Sequence, residues 1–441
     1  MRNMKYELGQ IIKGVEAINF TYEALGLVKA DDYSIFVENL LPQEKADIQI
    51  KKSNTKFAFA IVVKRYNDSP KRIKVLNQKL MLSGSTPLAI LNYADQLEFK
   101  ENVVKYLFQR NIHFNETQKI LPCEKQWNYR NKITVFVESS KGKIKFGLYE
   151  KNTHKLVEQD SYDLANESIN KLLMYLNKNI NNYKCFIENG QFLKQIVVRY
   201  SESYDQMMLA FVQDKPFELS EDLLKDLTSN FKNLKVILKE EKVKKTTYTY
   251  YSEAKNIQDK ISNLTFNIDY NSFFQVNSYQ TNNLYNLLVN NLHLDKTMNV
   301  VDAYSGIGTI SLKIAEKVKK VYGLEIVKEA VINAKQNAKL NNINNTEFYE
   351  GDVLKTIDNI KEKIDTIIID PPRAGVSKEV LEKILKIEPK QIGYISCNPH
   401  TLCRDIDLLT LSKKYKLEFL KPCDMFCQTH HVETVAILKL K

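Results

Sequence analysis

The chain lacks any apolar run approaching the roughly 18 residues that a membrane-spanning helix requires, and it is short of cysteine, with six in 441 residues. The first absence argues against a helical membrane protein. The amino-terminal Met1-Arg-Asn-Met-Lys-Tyr-Glu7 also lacks the apolar core of a signal peptide, so a cytoplasmic location is expected. The second absence argues against a secreted disulfide scaffold, since four of the six cysteines crowd into the last 45 residues and none precedes Cys123. No internal repeat and no low-complexity linker interrupts the sequence.

What is present describes a folded protein. A hydrophobic fraction of 44% with 27% charged residues is that of a globular chain, and its length calls for two or three domains. The net charge of +11 suits a polyanionic partner such as RNA. A coding bias toward Lys, Asn and Ile would produce the same surplus.

Three regions differ in pattern. Over residues 1–66, short alternating runs such as Ser34-Ile-Phe-Val37, Ala46-Asp-Ile-Gln-Ile50 and Phe57-Ala-Phe-Ala-Ile-Val-Val63 predict four or five strands and an OB-like β-barrel, a common RNA-binding platform. Residues 67–270 read as a central α+β domain, also expected to bind RNA. Its helices are expected near 94–109, 165–178 and 219–231, and its strands at 132–137, 143–148, 196–200, 207–211 and 234–238. The run Lys242-Val-Lys-Lys-Thr-Thr-Tyr-Thr-Tyr-Tyr251 mixes cations with aromatics, which fits either a nucleic-acid surface or plain strand propensity. Residues 271–441 alternate strand and helix, with strands at 298–303, 320–324, 347–349, 366–369 and 391–396 and helices at 309–317, 328–341 and 377–386. That alternation predicts an α/β, Rossmann-like, doubly wound and mainly parallel sheet. A hairpin from 417–419 and 432–440 closes its edge.

The chemistry-bearing residues fall at strand ends of this last region. Val301-Asp-Ala-Tyr-Ser-Gly-Ile-Gly-Thr309 carries glycines at 306 and 308, but Ser311 stands where a dinucleotide fingerprint needs a third. Glu325 ends the second strand, where an acid can accept both ribose hydroxyls, and Asp352 follows the third, where it can meet an adenine amino group. An adenosyl ligand without a pyrophosphate fits this set, with S-adenosylmethionine the obvious candidate. The prolines of Asp370-Pro-Pro-Arg373 stiffen the exit of the fourth strand. Arg373 there suits an anionic backbone or a base carbonyl. Gln275, between apolar neighbours in Phe273-Phe-Gln-Val-Asn277, is free to serve either a ligand or the backbone.

Cys397 stands at the end of the apolar run Ile392–Ser396, before what reads as an Asn-Pro turn, a place for nucleophilic chemistry or for an inert buried thiol. Glu433 opens an apolar strand, either to serve a pocket or to pair with a cation. A thiolate that adds to C6 of a uracil makes C5 nucleophilic toward a methyl donor, and a base must then remove the C5 proton. Cys423, Cys427, His430 and His431 have an irregular spacing for zinc, and no metal is expected.

Phe274-Gln-Val-Asn277, Asp302 to Gly308, Asp370-Pro-Pro-Arg373, Ser396-Cys-Asn-Pro399 and His431-Val-Glu-Thr434 together resemble the ordered motifs of the RNA uracil-5 methyltransferases. Phe36-Val-Glu-Asn-Leu-Leu-Pro42 is similar to the TRAM domain that many of them carry. The resemblance implies a class I methyltransferase domain in which Cys397 attacks C6 and Glu433 removes the C5 proton. It implies that Gln275, Tyr304, Thr309, Glu325 and Asp370 line the S-adenosylmethionine pocket, with Asp370 also at the uracil edge. Thr309 departs from a frequent Asn. Asp352 joins the pocket on strand position alone. Phe273 and Arg373 are expected to meet the RNA, whose uridine must be flipped out to reach the thiol.

Many barrel-bearing members hold an iron–sulfur cluster, but the comparable stretch Ser69 to Glu98 has no cysteine, and no cluster is expected. Cys403 and Cys427 stand where the family pattern has Ala and Pro. The expected product is 5-methyluridine, in 23S ribosomal RNA first and in the T-loop of transfer RNA second, made by a monomer. An RNA-binding or RNA-remodelling protein with incidental methylation is the reading from another class.

Overall fold

The computed structural model describes residues 5–140, 142–243 and 245–441. The first four residues of the amino-terminal heptapeptide, Lys141, and Lys244 of the cation–aromatic run lie outside the described residues. The chain divides into two compact units: the residues up to Val103 with Phe426–His430, and Val104–Met425 with His431–Lys441.

In the amino-terminal unit, strands Ile11–Glu16, Asn19–Phe20, Leu25–Ala30, Tyr33–Glu38, Lys45–Ser53 and Phe57–Arg65 form one sheet, ordered first, fifth, sixth, fourth, third, second. Tyr33, Ile35 and Val37 of the fourth strand and Ala46, Ile48 and Ile50 of the fifth are buried, while the residues between them are not. This is the period of two by which a half-buried strand sends alternate side chains inward. The two-residue strand Asn19–Phe20 is too short to display a period, and the sheet has one strand more than the alternation predicts.

The larger unit contains two seven-stranded sheets. One comprises Lys132–Ser140, Lys143–Tyr149, Leu156–Val157, Leu193–Ser201, Gln206–Gln213, Leu234–Lys242 and the edge strand Thr246–Tyr250. Helix Glu167–Asn179 buries Ile169, Leu172, Leu173 and Leu176 in the same core as Ile196, Val198 and Phe211 of this sheet. That i, i+3, i+4, i+7 spacing is the stripe of an amphipathic helix. Every residue of Thr246–Thr249 is exposed, and among the described residues this edge is left largely open.

The second sheet takes seven strands in chain order: Asn299–Ala303, Lys320–Glu325, Thr346–Glu350, Thr366–Ile369, Gln391–Ser396, Tyr415–Cys423 and Glu433–Leu440. Their spatial order is 3-2-1-4-5-7-6. The first five run parallel and the seventh is antiparallel to both its neighbours. All residues of the first, fourth and fifth strands are buried, as expected where helices cover both faces of a parallel sheet. At Gly323 an added Cβ would lie 2.4 Å from Phe348 Cδ1, so the close approach of the second and third strands demands glycine there. The carboxyl ends of the first five strands, facing one way, form the ledge on which the candidate site is built.

Candidate active site

Cys397 directly follows the fifth strand, and Asn398 caps the helix Pro399–Leu411, accepting from the His400 N–H at 3.1 Å. The Asn-Pro pair is thus a helix start, not the turn expected. A proline at the first helical position forfeits an N–H that would have no partner anyway. Glu433 opens the seventh strand, in which Thr434 pairs with Ser396. The ladder ends at this pair, and Cys397 and Glu433, the next residue on either side of it, lie close enough for the Glu433 charge to act on the Cys397 thiol. Two residues 36 positions apart thereby come together because of sheet order alone.

Their surroundings hold protons tightly. Glu433 is 4% exposed, and burial pushes its carboxyl up to about 8, with the Asp370 charge adding and Arg373 opposing. The Cys397 thiol is pushed up to about 11, first by burial and then by the Glu433 charge, with Arg373 again opposing. Asp370, at the end of the fourth strand, rises to about 7 through burial and the charge of Asp302. Arg373 is the cation that favours the charged form of both the thiol and Glu433. Its guanidinium lies 3.4 Å from His431 Nε2, and its backbone carbonyl accepts from Asn398 Nδ2 at 3.2 Å and Thr401 Oγ1 at 3.3 Å. The loop after the fourth strand is therefore tied to the helix that starts beside Cys397.

A second tie lies beneath it. Asp405, 1% exposed, accepts from the Val376 N–H at 2.8 Å and from the Tyr394 hydroxyl at 2.7 Å. Gly375 has φ +76°, and an added Cβ would sit 2.6 Å from Asp405 Oδ2. Both donors meet Oδ2, and Oδ1 accepts from Arg404 Nε at 2.8 Å, so Asp405→Asn sets an amide N–H against the Arg404 guanidinium or against the Oδ2 donors and loses about 1–3 kcal/mol of local hydrogen bonding. The turnover expected from the sequence should fall about tenfold in kcat through misplacement of the Arg373 loop, while the affinity for the expected adenosyl ligand stays within about twofold. Steady-state kinetics with a parallel thermal-unfolding control measure both.

The first strand is followed directly by Tyr304, held at φ +66°, and then by Gly306 and Gly308 at φ +54° and +85°. An added Cβ at Gly306 would meet nothing within 4 Å, which leaves open space at the turn. Glu325 accepts from the Gly306 N–H at 3.0 Å and from the Val327 N–H at 2.8 Å, so its carboxylate is fixed at the end of the second strand. Asp352 is exposed and caps the short helix Val353–Thr356, accepting from the Leu354 N–H at 2.8 Å. Tyr304 is raised from its ordinary value by burial and by the nearby Asp352 and Asp405 charges.

Gln275 stands in the loop before helix Ser278–Asn291. Asn131 donates to its backbone carbonyl at 2.9 Å, and its side chain lies beside the Tyr285 hydroxyl, which is 3.0 Å from Thr309 Oγ1. Phe273 is 69% exposed whereas Phe274 is 2% exposed, so one ring of the pair faces solvent. The larger unit thus brings Gln275, Thr309, Asp370, Cys397 and Glu433 toward one end of the sheet. Asp302 and Tyr285 belong with them without having been given roles from the sequence. Asp302 is fully buried, rises to about 7 through burial against an opposing hydrogen bond from Ser311, and has no hydrogen-bond partner for Oδ1. An acid inside the apolar strand Asn299–Ala303 was the available signal. Among the described residues no group of three or more His, Cys, Asp or Glu is arranged to hold a metal ion.

The strand order and the ledge of acids and glycines define a class I methyltransferase fold. The solved structure of the Pyrococcus abyssi tRNA (uracil-54, C5)-methyltransferase in complex with S-adenosyl-L-homocysteine shares it, with a TM-score of 0.76, 24% identity, and coverage of 97% of this chain and 100% of that one. The tRNA (uracil-5-)-methyltransferase family model matches residues 92–441, and the TRAM domain model matches residues 15–63. An uncharacterized RNA methyltransferase of Oceanobacillus iheyensis is 35% identical, over 96% of this chain and 95% of its own length. One from Lactobacillus johnsonii is 36% identical, over 97% and 98%. The chain belongs to the tRNA (uracil-5-)-methyltransferase family and carries a TRAM domain.

Proposed function

We propose that this protein is an S-adenosylmethionine-dependent RNA methyltransferase that converts a uridine of 23S ribosomal RNA to 5-methyluridine in the cytoplasm. The observation that carries the reading is the pairing of the fifth and seventh strands, which brings a thiol close to a desolvated carboxyl. The residues fit the methyl donor. Glu325 offers a fixed carboxylate for the ribose hydroxyls, the turn at Gly306 leaves room for a ligand against the backbone, and Asp302 Oδ1 is a buried acceptor lacking a donor. Tyr304, Thr309, Gln275 and Asp352 complete the lining. Bound there, S-adenosylmethionine supplies an electrophilic methyl group for C5.

The protein's own residues do the rest. Cys397 Sγ releases its proton to solvent water and bonds C6, and the C5–C6 π electrons move toward O4. Asp370 holds the uracil edge, and Arg373 favours the anions formed beside it. Once C5 carries the methyl group, Glu433 takes the C5 proton. The C5–H electrons re-form the double bond and the Cys397–C6 bond breaks. Phe273 offers its exposed ring to an RNA base. Residues 1–66 and 67–270 grip the RNA and residues 271–441 perform the chemistry, in a protein that acts as a monomer and needs no iron–sulfur cluster.

Support for the ribosomal target comes from the TRAM domain joined to the catalytic part. The second reading, the T-loop uridine of transfer RNA, is favoured by the description of the matching family. Incubation with tritiated S-adenosylmethionine and unmodified transcripts of 23S and transfer RNA is expected to label 23S RNA as 5-methyluridine. Label in transfer RNA alone overturns the ribosomal target. Label in neither overturns the enzymatic reading and leaves an RNA-binding protein.

A further inference from the structure

The amino-terminal unit contains a cavity of about 450 Å³ beside the last strand of its sheet, within the size range of small-ligand pockets. Its cationic lining is Arg65, Arg72 and Lys74, and its apolar lining is Ile73, Val75 and Met81. Beneath it lies Glu44, 0% exposed, whose carboxylate accepts from the Leu41 N–H at 2.8 Å, the Ser69 N–H at 3.0 Å and Arg72 Nη2 at 2.7 Å. Burial alone would raise Glu44, but Arg72 and these N–H groups hold it below its ordinary value.

The cations are not equivalent. Arg72 is consumed by the framework: besides Glu44 it bonds the Asn39 side chain at 2.9 Å and the Asn39 carbonyl at 3.1 Å. Arg65 is only partly used. Its Nη2 donates to the Asn39 carbonyl at 2.7 Å, its Nε is paired with the buried Glu44 carboxylate at 3.3 Å, and its Nη1, the end left toward the cavity, lies 3.6 Å from Asp68, a lining residue whose side chain is 69% exposed. An ion pair to so exposed a carboxylate contributes little. Burial and the Arg72 charge both press Arg65 downward, a repulsion that an incoming anion relieves. Lys74 is exposed and makes no hydrogen bond or ion pair with the described residues.

We infer that this cavity binds a nucleoside monophosphate unit, with the phosphate met by Arg65 and Lys74 and the base laid against Ile73, Val75 and Met81. A bare phosphate would leave most of the volume and the whole apolar wall unused. Gln78, also on the lining, offers the amide that a base edge requires. The unit arrives either as a nucleotide turned out of bound RNA, in which case the inference rests on the proposed RNA substrate, or as a free nucleotide.

The test uses the full chain saturated with S-adenosylhomocysteine, so that the adenosyl pocket is filled. Adenosine 5′-monophosphate and inorganic phosphate are the probes, titrated by ligand-observed NMR into the wild type, Lys74→Gln and Gln78→Glu. Both substitutions are at exposed positions. The nucleotide is expected to bind tighter than phosphate and to lose about fivefold or more in affinity in each variant. Equal binding of nucleotide and phosphate, no binding, or unchanged nucleotide affinity in both variants overturns the inference. None of these readings involves methyl transfer, so each is distinguishable from failure of the proposed reaction.

A second arm separates the sources. If RNA presents the unit, Lys74→Gln lowers the slope of log affinity for 23S RNA against log salt by about one. An unchanged slope with weakened nucleotide binding assigns the cavity to a free nucleotide.

Discussion

Cys397→Ala is expected to abolish methyl transfer, with a fall of roughly 10⁴-fold or more, because a missing nucleophile removes the whole covalent route rather than one contact. Carbon 5 of uracil becomes nucleophilic only after a group has added to C6, and no other side chain at this end of the sheet can take that role. Cys423 is the nearest competitor, since it pairs with Glu433 from the other side in the sixth strand. It is 0% exposed and its thiol is pushed well above its ordinary value by burial and by the Asp424 and Glu433 charges. Denaturing gels should show a retarded protein–RNA adduct with 5-fluorouridine-containing RNA for the wild type and none for Cys397→Ala. Persistence of the adduct in that variant, or its loss in Cys423→Ala alone, would exclude Cys397 as the attacking thiol.

The catalytic sheet was legible because its signals are local and repeated. Each parallel strand is a short apolar run, each helix between strands is amphipathic, and the acids and glycines mark the strand ends. Besides the four-residue Val353–Thr356, two helices escaped this reading. Ser278–Asn291 is rich in Asn, Tyr and Thr, poor helix formers, and is held by the Asn277 cap and the burial of Leu284, Tyr285 and Leu288. Pro399–Leu411 begins at an Asn-Pro pair that reads equally as a turn. The tail is also less simple than a hairpin, because Phe426–His430, between the sixth and seventh strands, group with the amino-terminal unit.

Within the site, the residues reached by motif are those proposed to meet the ligands. Asp405 and Tyr285, which support them, were not legible, because they act through partners distant in sequence. Asp405 meets Val376, Tyr285 meets Thr309, and the Oδ1 of Asp302 meets no protein group at all. The closeness of Cys397 and Glu433 follows from the insertion of the seventh strand between the fifth and the sixth. No spacing in the sequence encodes that insertion.

Glu433→Gln is expected to do the opposite of Cys397→Ala and accumulate the adduct on ordinary, unfluorinated RNA. The substitution keeps the shape of the side chain and removes the base, so addition and methylation proceed and the C5 proton stays. The charge argument favours addition as well. Glu433 is the group whose charge most raises the Cys397 thiol, after burial, and a neutral amide withdraws that opposition. The pH dependence has a definite sign. Removal of the C5 proton needs the carboxylate, and the free protein holds the Glu433 carboxyl at about 8. Below that value the ionised fraction, and with it the wild-type rate of adduct breakdown, falls about tenfold per pH unit; above it the rate levels off. Rapid-quench measurement of adduct decay across this range should give the rise in the wild type and slow, flat decay in Glu433→Gln. Release of methylated RNA from that variant at a rate near the wild type would remove Glu433 as the required base, and it would turn attention to Asp370, whose carboxyl is also raised, to about 7.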